Sequence, residues 1–299
     1  MKMQTASKIT VFVFGLALII SAAAYAGIDI PGLDQDGIAR ALGKKGDVLG
    51  DTYKVSYLRS DLRVSVGKVT IKPALALVSW AAFKKSGDSA VTYGDLVLLE
   101  NEINPVVSKL EEKGIEISAL HNHLLHESPR IMYLHFVGYG NEVEMAKGLR
   151  EALALTDTPS KTEPAGAESK PGVAKQIEEI LGSEGSMSGG VFHVTIPRND
   201  LHVKMMGASM PGGMGMSIPL NFQIEGKNAA INGDFMLLAG EVNPVIKALR
   251  SNGIEVASLH NHMLNEEPRL FFMHYWAVGD AVALAKGLRA ALDKTNVKK

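Results

Sequence analysis

Apolar and polar side chains alternate in TYKVSYLR (residues 52–59) and again in VFHVTIPR (residues 191–198), the period-two pattern of a half-buried strand. Each stretch is followed, across the polar turn RSD or RND, by a second alternating piece, DLRVSV or DLHVKMM, which predicts a hairpin. A helical period replaces the alternation in DGIARALG and KQIEEILG, which end on Gly43 and Gly182, the usual residue just past a helix C-terminus. Further on, GDLVLLE and GDFMLLA read as strands leading into INPVVSKLEEKG and VNPVIKALRSNG. There Asn104 or Asn243 is placed to cap a helix and Pro105 or Pro244 to fill its first turn, with Gly114 or Gly253 as its stop. IEISALHNHLL, the turn HESP and RIMYLHFVG form a second predicted hairpin, followed by a helix over residues 141–155. The fold class expected is α+β: an antiparallel sheet with packed helices.

These elements come in pairs because the chain is a tandem duplication. A constant shift of 139 residues lays Arg59-x-Asp61-Leu62 on Arg198-x-Asp200-Leu201, Gly94-Asp95 on Gly233-Asp234, and Glu102-x-Asn104-Pro105 on Glu241-x-Asn243-Pro244. The same shift lays His121-Asn122-His123 on His260-Asn261-His262, His135 on His274, and Lys147-Gly148-Leu149-Arg150 on Lys286-Gly287-Leu288-Arg289. The expected organisation is a first domain over residues 27–156, a linker over 157–172 and a second domain over 173–299. The linker, DTPSKTEPAGAESKPG, has no large apolar side chain with which to order itself.

Residues 1–26 read differently. Lys2 and Lys8 precede an apolar run from Ile9 to Ile20, and Ala24-Tyr25-Ala26 is a small-x-small cleavage pattern, so this segment reads as a signal peptide. The run is shorter than the roughly 20 residues of a membrane helix, so a periplasmic or secreted chain with no stable membrane span in its mature form is expected. Losing two lysines from a formal net charge of −1 leaves −3, a balance that gives no footing for nucleic acid. The chain has 0 cysteines, which removes disulfides, thiolate metal sites and cysteine nucleophiles from consideration.

The candidate chemistry lies in the second hairpin. On a strand, His121 and His123 share a face. A hairpin folded symmetrically about Ser128 would set His121 opposite His135 and His123 opposite Tyr133, with Glu127 in the turn. Copy two repeats the set as His260, His262, His274 and Glu266. Three imidazoles and a carboxylate are a plausible first shell for a divalent transition metal, zinc foremost, with Mn, Fe, Co, Ni or Cu acceptable to the same donors. One site per domain or one shared between domains would both satisfy the pattern. Two other readings of these residues stay open: a metal-free module that binds a small ligand or a partner on the same sheet face, and a hydrogen-bonded structural cluster.

Arg130 and Arg269 follow the turn proline, where they would either hold Glu127 and Glu266 or clamp an anionic ligand. Glu102 and Glu241 are expected to cap helices, and Asp61 and Asp200 to bond turn amides. The methionines between Met205 and Met216 could suit copper, but Met214 and Met216 fall on Leu75 and Leu77, as core positions would. No G-x-S-x-G elbow, P-loop, G-x-G-x-x-G turn or H-E-x-x-H helix is present. The phrases ENEINPVVSKLEEKGIEISALHNHLLHESPRIMYLHF and AGEVNPVIKALRSNGIEVASLHNHMLNEEPRLFFMHY resemble those of the LppY/LpqO family, bacterial domains of unknown function named for two mycobacterial lipoproteins. The resemblance implies export and a paired-domain plan and brings no activity. The chain departs from the namesakes in lacking a cysteine for lipid attachment.

Overall fold

The structure, a computed structural model, describes residues 29–160 and 168–297. The signal segment read over residues 1–26 and the middle of the linker lie outside them.

In the first copy the order is α1 (Gln35–Leu42), β1 (Asp47–Leu49), β2 (Thr52–Leu58), β3 (Ser65–Val66), β4 (Val69–Thr70) and α2 (Pro73–Ala76). Then come β5 (Val78–Ser86), β6 (Ser89–Leu99), α3 (Glu100–Glu112), β7 (Glu116–His121), β8 (Glu127–Ser128), β9 (Ile131–Gly140) and α4 (Glu142–Leu153). The second copy repeats this as α5 (Ala174–Leu181), β10 (Gly185–Ser188), β11 (Val191–Pro197), β12 (Lys204–Met205), β13 (Ala208–Ser209), β14 (Ser217–Glu225), β15 (Asn228–Leu237), α6 (Ala239–Ser251), β16 (Glu255–His260), β17 (Glu266–Glu267), β18 (Phe271–Asp280) and α7 (Ala281–Leu292). A single 3-10 turn at Gly212–Met214 stands in place of α2. Each copy is an antiparallel six-stranded sheet, in the order β1-β2-β5-β6-β9-β7 or β10-β11-β14-β15-β18-β16, with a separate three-stranded sheet of very short strands. The α+β architecture of two tandem domains is therefore the one expected.

Local chemistry explains the helix ends. Asp34 accepts a hydrogen bond from the Gly37 amide at 2.7 Å to cap α1, and Gly43 closes it at φ 70°, a left-handed conformation that glycine adopts without strain. The helix that carries Pro105 starts earlier than the asparagine suggested. It begins at Glu100, capped by Leu99, whose amide donates to Glu102 at 2.8 Å. Asn104 is thus an interior residue, and the cap belongs to Glu102.

Two further expectations give way to long-range pairing. The RSD and RND turns do not close hairpins: β2 pairs with β1 and β5, while β3 pairs with β4 and β8. Arg59, at the turn, is fully buried and turns inward to Asp61 and Glu102, so Asp61 serves the guanidinium rather than turn amides. The histidine hairpin is also offset. His121 pairs with Tyr133 and Ala119 with His135, after a bulge between Ile117 and Ala119. Because the slip from the symmetric register is two residues, every side chain keeps its face. His121 and His135 therefore remain together.

Helices cover one face of each sheet, over Leu96, Leu98, Leu134 and Phe136 in copy one. The other faces, which carry Tyr93, Asp95, Tyr133 and His135 in copy one and Asn232, Asp234 and His274 in copy two, turn toward each other. Ser118, the bulged residue, donates to the carbonyl of His262 at 2.7 Å; Ser258 donates to that of Asn122 at 2.8 Å; and Asn232 donates to that of His123 at 3.2 Å. Gln223 bridges as well, accepting from the Lys72 amide at 2.8 Å and donating to the Thr70 carbonyl at 2.9 Å. Met205, Met210, Met214 and Met216 are buried in the second copy's core, which fits the core reading of that stretch.

Gly94 and Gly233 stand at the crowded middle of the sheets. A Cβ on Gly94 would overlap the Trp80 carbonyl and the Phe136 ring, and one on Gly233 would overlap the Pro219 carbonyl and the Tyr275 hydroxyl. The carbonyls are held in the sheet and cannot swing aside. Gly94→Ala is expected to cost about 1–3 kcal/mol, read as a lowered urea midpoint at unchanged slope. A midpoint equal to wild type would show that the sheet relaxes there.

Candidate metal centre between the domains

Six histidines meet where the two sheets face one another. His121 stacks on His260 with ring centroids 3.7 Å apart, His123 on His274 at 3.7 Å, and His135 on His262 at 3.9 Å. The 139-residue shift exchanges 121 with 260, 123 with 262 and 135 with 274. The three stacks therefore obey a two-fold axis: the first pair lies on it, and the other two are images of each other. It is the geometry of an isologous dimer interface drawn within one chain. Each copy contributes half of one cluster.

Backbone contacts set the tautomers. His135 Nδ1 lies 3.1 Å from the Gly94 carbonyl and His274 Nδ1 3.0 Å from that of Gly233. A carbonyl only accepts, so Nδ1 carries the proton and Nε2 presents its lone pair to the cluster. Neither Nε2 has a partner there, nor do His260 Nε2, His262 Nε2 and His121 Nδ1. Ligand atoms of His121, His260, His262 and His274 lie within 4.8 Å of one another.

Two buried carboxyls flank this group, and sequence reasoning did not single them out. Asp95 pairs with His135 across β6 and β9 and stands 3.8 Å from His123 and 3.9 Å from His135; Asp234 stands 3.6 Å from His262. One oxygen of each, Oδ1, has no hydrogen-bond partner. A charged residue repeated in the middle of the apolar strands GDLVLLE and GDFMLLA was the available signal. Burial pushes both carboxyls up to about 8. Burial pushes the imidazoles the other way, His135 and His260 down to about 3, and His121, His123, His262 and His274 are lowered as well, with neighbouring imidazoles adding to the effect at all four. The imidazoles are thus neutral at physiological pH, the form that ligates metals.

The remaining candidates lie elsewhere. Glu127 is in β8 with its backbone paired to Val66, and Glu266 is buried in β17, where Oε1 accepts from the Leu270 amide at 3.0 Å and meets Arg269 at 3.3 Å. Neither is among the clustered ligand atoms. Arg269 also donates to the Leu264 carbonyl at 2.9 Å, and it holds the turn; Arg130 is 62% exposed, 3.9 Å from Glu100.

Beside the cluster lies a cavity of about 350 Å³ between the domains, bordered by Lys54, Trp80 and Tyr93 from copy one and His193, Asn221 and Asn232 from copy two. Tyr93 places its hydroxyl 3.1 Å from His135 Nδ1.

A family model described as Domain of Unknown Function (DUF1259) matches residues 36–155 and again 175–294. The chain belongs to this family. The two matches of the DUF1259 domain are themselves 139 residues apart, the same spacing as the internal repeat. No curated protein matches the chain. Among solved structures, the trimeric bacterial microcompartment shell protein PduB shares 12% identity, with 82% of this chain and 87% of that one covered and a TM-score of 0.19. EtuB from Clostridium kluyveri shares 9%, with 83% and 88% covered and a TM-score of 0.20. Likenesses this weak carry no argument about fold or assembly. Among the described residues of this DUF1259 chain, no helix is long and apolar enough to cross a membrane.

Proposed function

We propose that this chain is an exported metal-binding protein, periplasmic or secreted, that holds one transition metal between its two domains through His121, His260, His262 and His274. The observation that carries the reading is that His121, His260, His262 and His274 each have a buried ring nitrogen without a hydrogen-bond partner and offer ligand atoms within 4.8 Å of one another. Each orphaned buried polar atom costs about 1–3 kcal/mol. A cation accepting their lone pairs removes that penalty at a stroke. The Nδ1 to carbonyl bonds of His135 and His274 are of the kind that orients metal-bound imidazoles.

Zinc is the preferred occupant, since it takes nitrogen donors in tetrahedral array, although such donors also accept its neighbours in the first row. Nitrogens around a tetrahedral zinc stand about 3.3 Å apart, so the wider pairs here would close by ring rotation. The LppY/LpqO resemblance is consistent with the same export, and no catalytic activity is assigned.

Elemental analysis of residues 27–299, purified without tag or chelator, tests this. About one equivalent of a single transition metal is expected, and none in His121→Ala/His260→Ala. If both proteins are folded by circular dichroism and take up nothing from zinc, manganese or copper, the reading fails. The interdomain cavity then favours the second reading, a metal-free ligand-binding module.

A further inference from the structure

The cluster obeys the two-fold axis, but the cavity beside it does not. Where copy one has Lys54, Trp80 and Tyr93, the shift gives His193, Pro219 and Asn232 in copy two. The pairing of the six histidines about the axis requires no such difference between walls. Unlike walls suit one ligand with unlike ends, lying across the axis. The volume, about 350 Å³, is at the small end of the roughly 300–1,000 Å³ typical of small-molecule sites.

The chemistry of the copy-one wall narrows the ligand. Lys54 is half-buried, with Nζ 4.0 Å from the centre of the Trp80 ring. Among the described residues no carboxylate forms an ion pair with it, and Asp95 acts on it only at longer range. The Asp95 and Asp234 carboxyls border the same cavity but lie beyond ion-pair distance of the ammonium, which leaves it a free face for the anionic end of a ligand. Among the described residues, no arginine and no residue of a helix of two or more turns borders the cavity. The forked donors and helix ends that grip phosphate are missing, whereas a single ammonium matches a single negative charge. Trp80 and Tyr93, edge to face with centroids 5.7 Å apart, give the ligand's body an apolar surface.

We propose that the interdomain cavity binds a small monocarboxylate, with its carboxylate on Lys54, its apolar body against Trp80 and Tyr93, and its far end at the histidine cluster. The far end rests on the metal reading. The Lys54 end does not.

Isothermal titration calorimetry on zinc-treated residues 27–299 tests it with acetate, pyruvate, lactate and benzoate, and with benzamide as the neutral match of benzoate. At least one carboxylate should bind at about one per chain. Benzamide should bind at least about 10-fold more weakly than benzoate, and Lys54→Met should weaken the carboxylate by roughly 10- to 100-fold, while Lys54→Arg stays within a few-fold. Melting curves of both variants show whether the fold is kept, and the benzamide comparison needs no variant at all. The proposal is overturned if none of the carboxylates binds, if benzamide binds as well as benzoate, or if Lys54→Met changes nothing. A carboxylate held by metal alone would lose its affinity in His121→Ala yet ignore Lys54→Met, and that also overturns it. Lys54-dependent binding that persists in a protein without metal would uphold this inference while the metal reading falls.

Discussion

Arg59→Met is expected to cost about 3–5 kcal/mol of stability, a third or more of what a typical domain has. Arg59 has no exposed side-chain surface, and its guanidinium is bidentate on Glu102, with Nη1 at 2.8 Å and Nη2 at 3.0 Å. It also meets Asp61 at 2.9 Å and donates to the Val97 carbonyl at 2.6 Å. Burial by itself would weaken this cation, but its bonds to Asp61 and Glu102 outweigh burial and its pKa moves upward. Glu102 in turn accepts from the Leu99 amide at 2.8 Å and the Asp157 amide at 3.4 Å. One side chain therefore joins the end of β2, the end of β6, the start of α3 and the chain after α4. Removing the cation leaves a buried carboxylate unpaired, and this is the larger part of the loss. Arg59→Met/Glu102→Gln, which keeps an acceptor for Leu99, should recover a good share of it in a double-mutant cycle. Arg198→Met should behave alike, since Arg198 meets Glu241 and Asp200 at 3.0 and 2.9 Å. A loss under about 1 kcal/mol from urea melts of either single variant would mean that desolvation cancels these bonds.

The repeat made both arginine triads visible as residues without showing that they touch. Arg59 and Glu102 are 43 positions apart, and periodicity speaks only of neighbours along one element. The elements themselves were legible because burial writes period two or 3.6 into them, as in TYKVSYLR and DGIARALG. What failed was pairing. β2 looked ready to turn back on DLRVSV, but the buried Arg59 draws the turn inward, and β5 takes the place beside β2. The histidine face survived a wrong register only because the error was an even number of residues. Glu127 and Glu266 were drawn in by their nearness along the chain. Asp95 and Asp234, some 26 residues upstream of His121 and His260, reach the cluster through the sheet. The choice between one site per domain and one shared site could not come from a single repeat unit, because the two-fold axis lies between units.

Stripping the metal is expected to lower the melting temperature by roughly 10 °C, and a single histidine in either domain should abolish that difference. At a free zinc concentration about 1,000 times the dissociation constant, binding to the folded state alone adds about 4 kcal/mol. For a protein of this size each kcal/mol moves the midpoint by about 2–4 °C. The shared geometry makes a sharper statement than the size of the shift. His121 and His260 stack on the axis, and His262 and His274, both from copy two, complete the clustered group with His121 of copy one. If the metal sits there, His121→Ala removes a ligand that no residue of the second domain can replace, and His260→Ala does the converse. Each single variant should then bind no metal, melt at one temperature with or without zinc, and match the stripped wild-type protein within a few degrees. Separate sites in each domain would instead leave half the metal bound in either variant, with one half of the chain still responding to zinc. That result would break the shared centre while leaving metal binding intact, because it would require His123, His135 and His121 to hold an ion without the partner copy. The grouping of ligand atoms argues against it, since those that lie within 4.8 Å of one another come from His121 of copy one and His260, His262 and His274 of copy two, without His123 or His135.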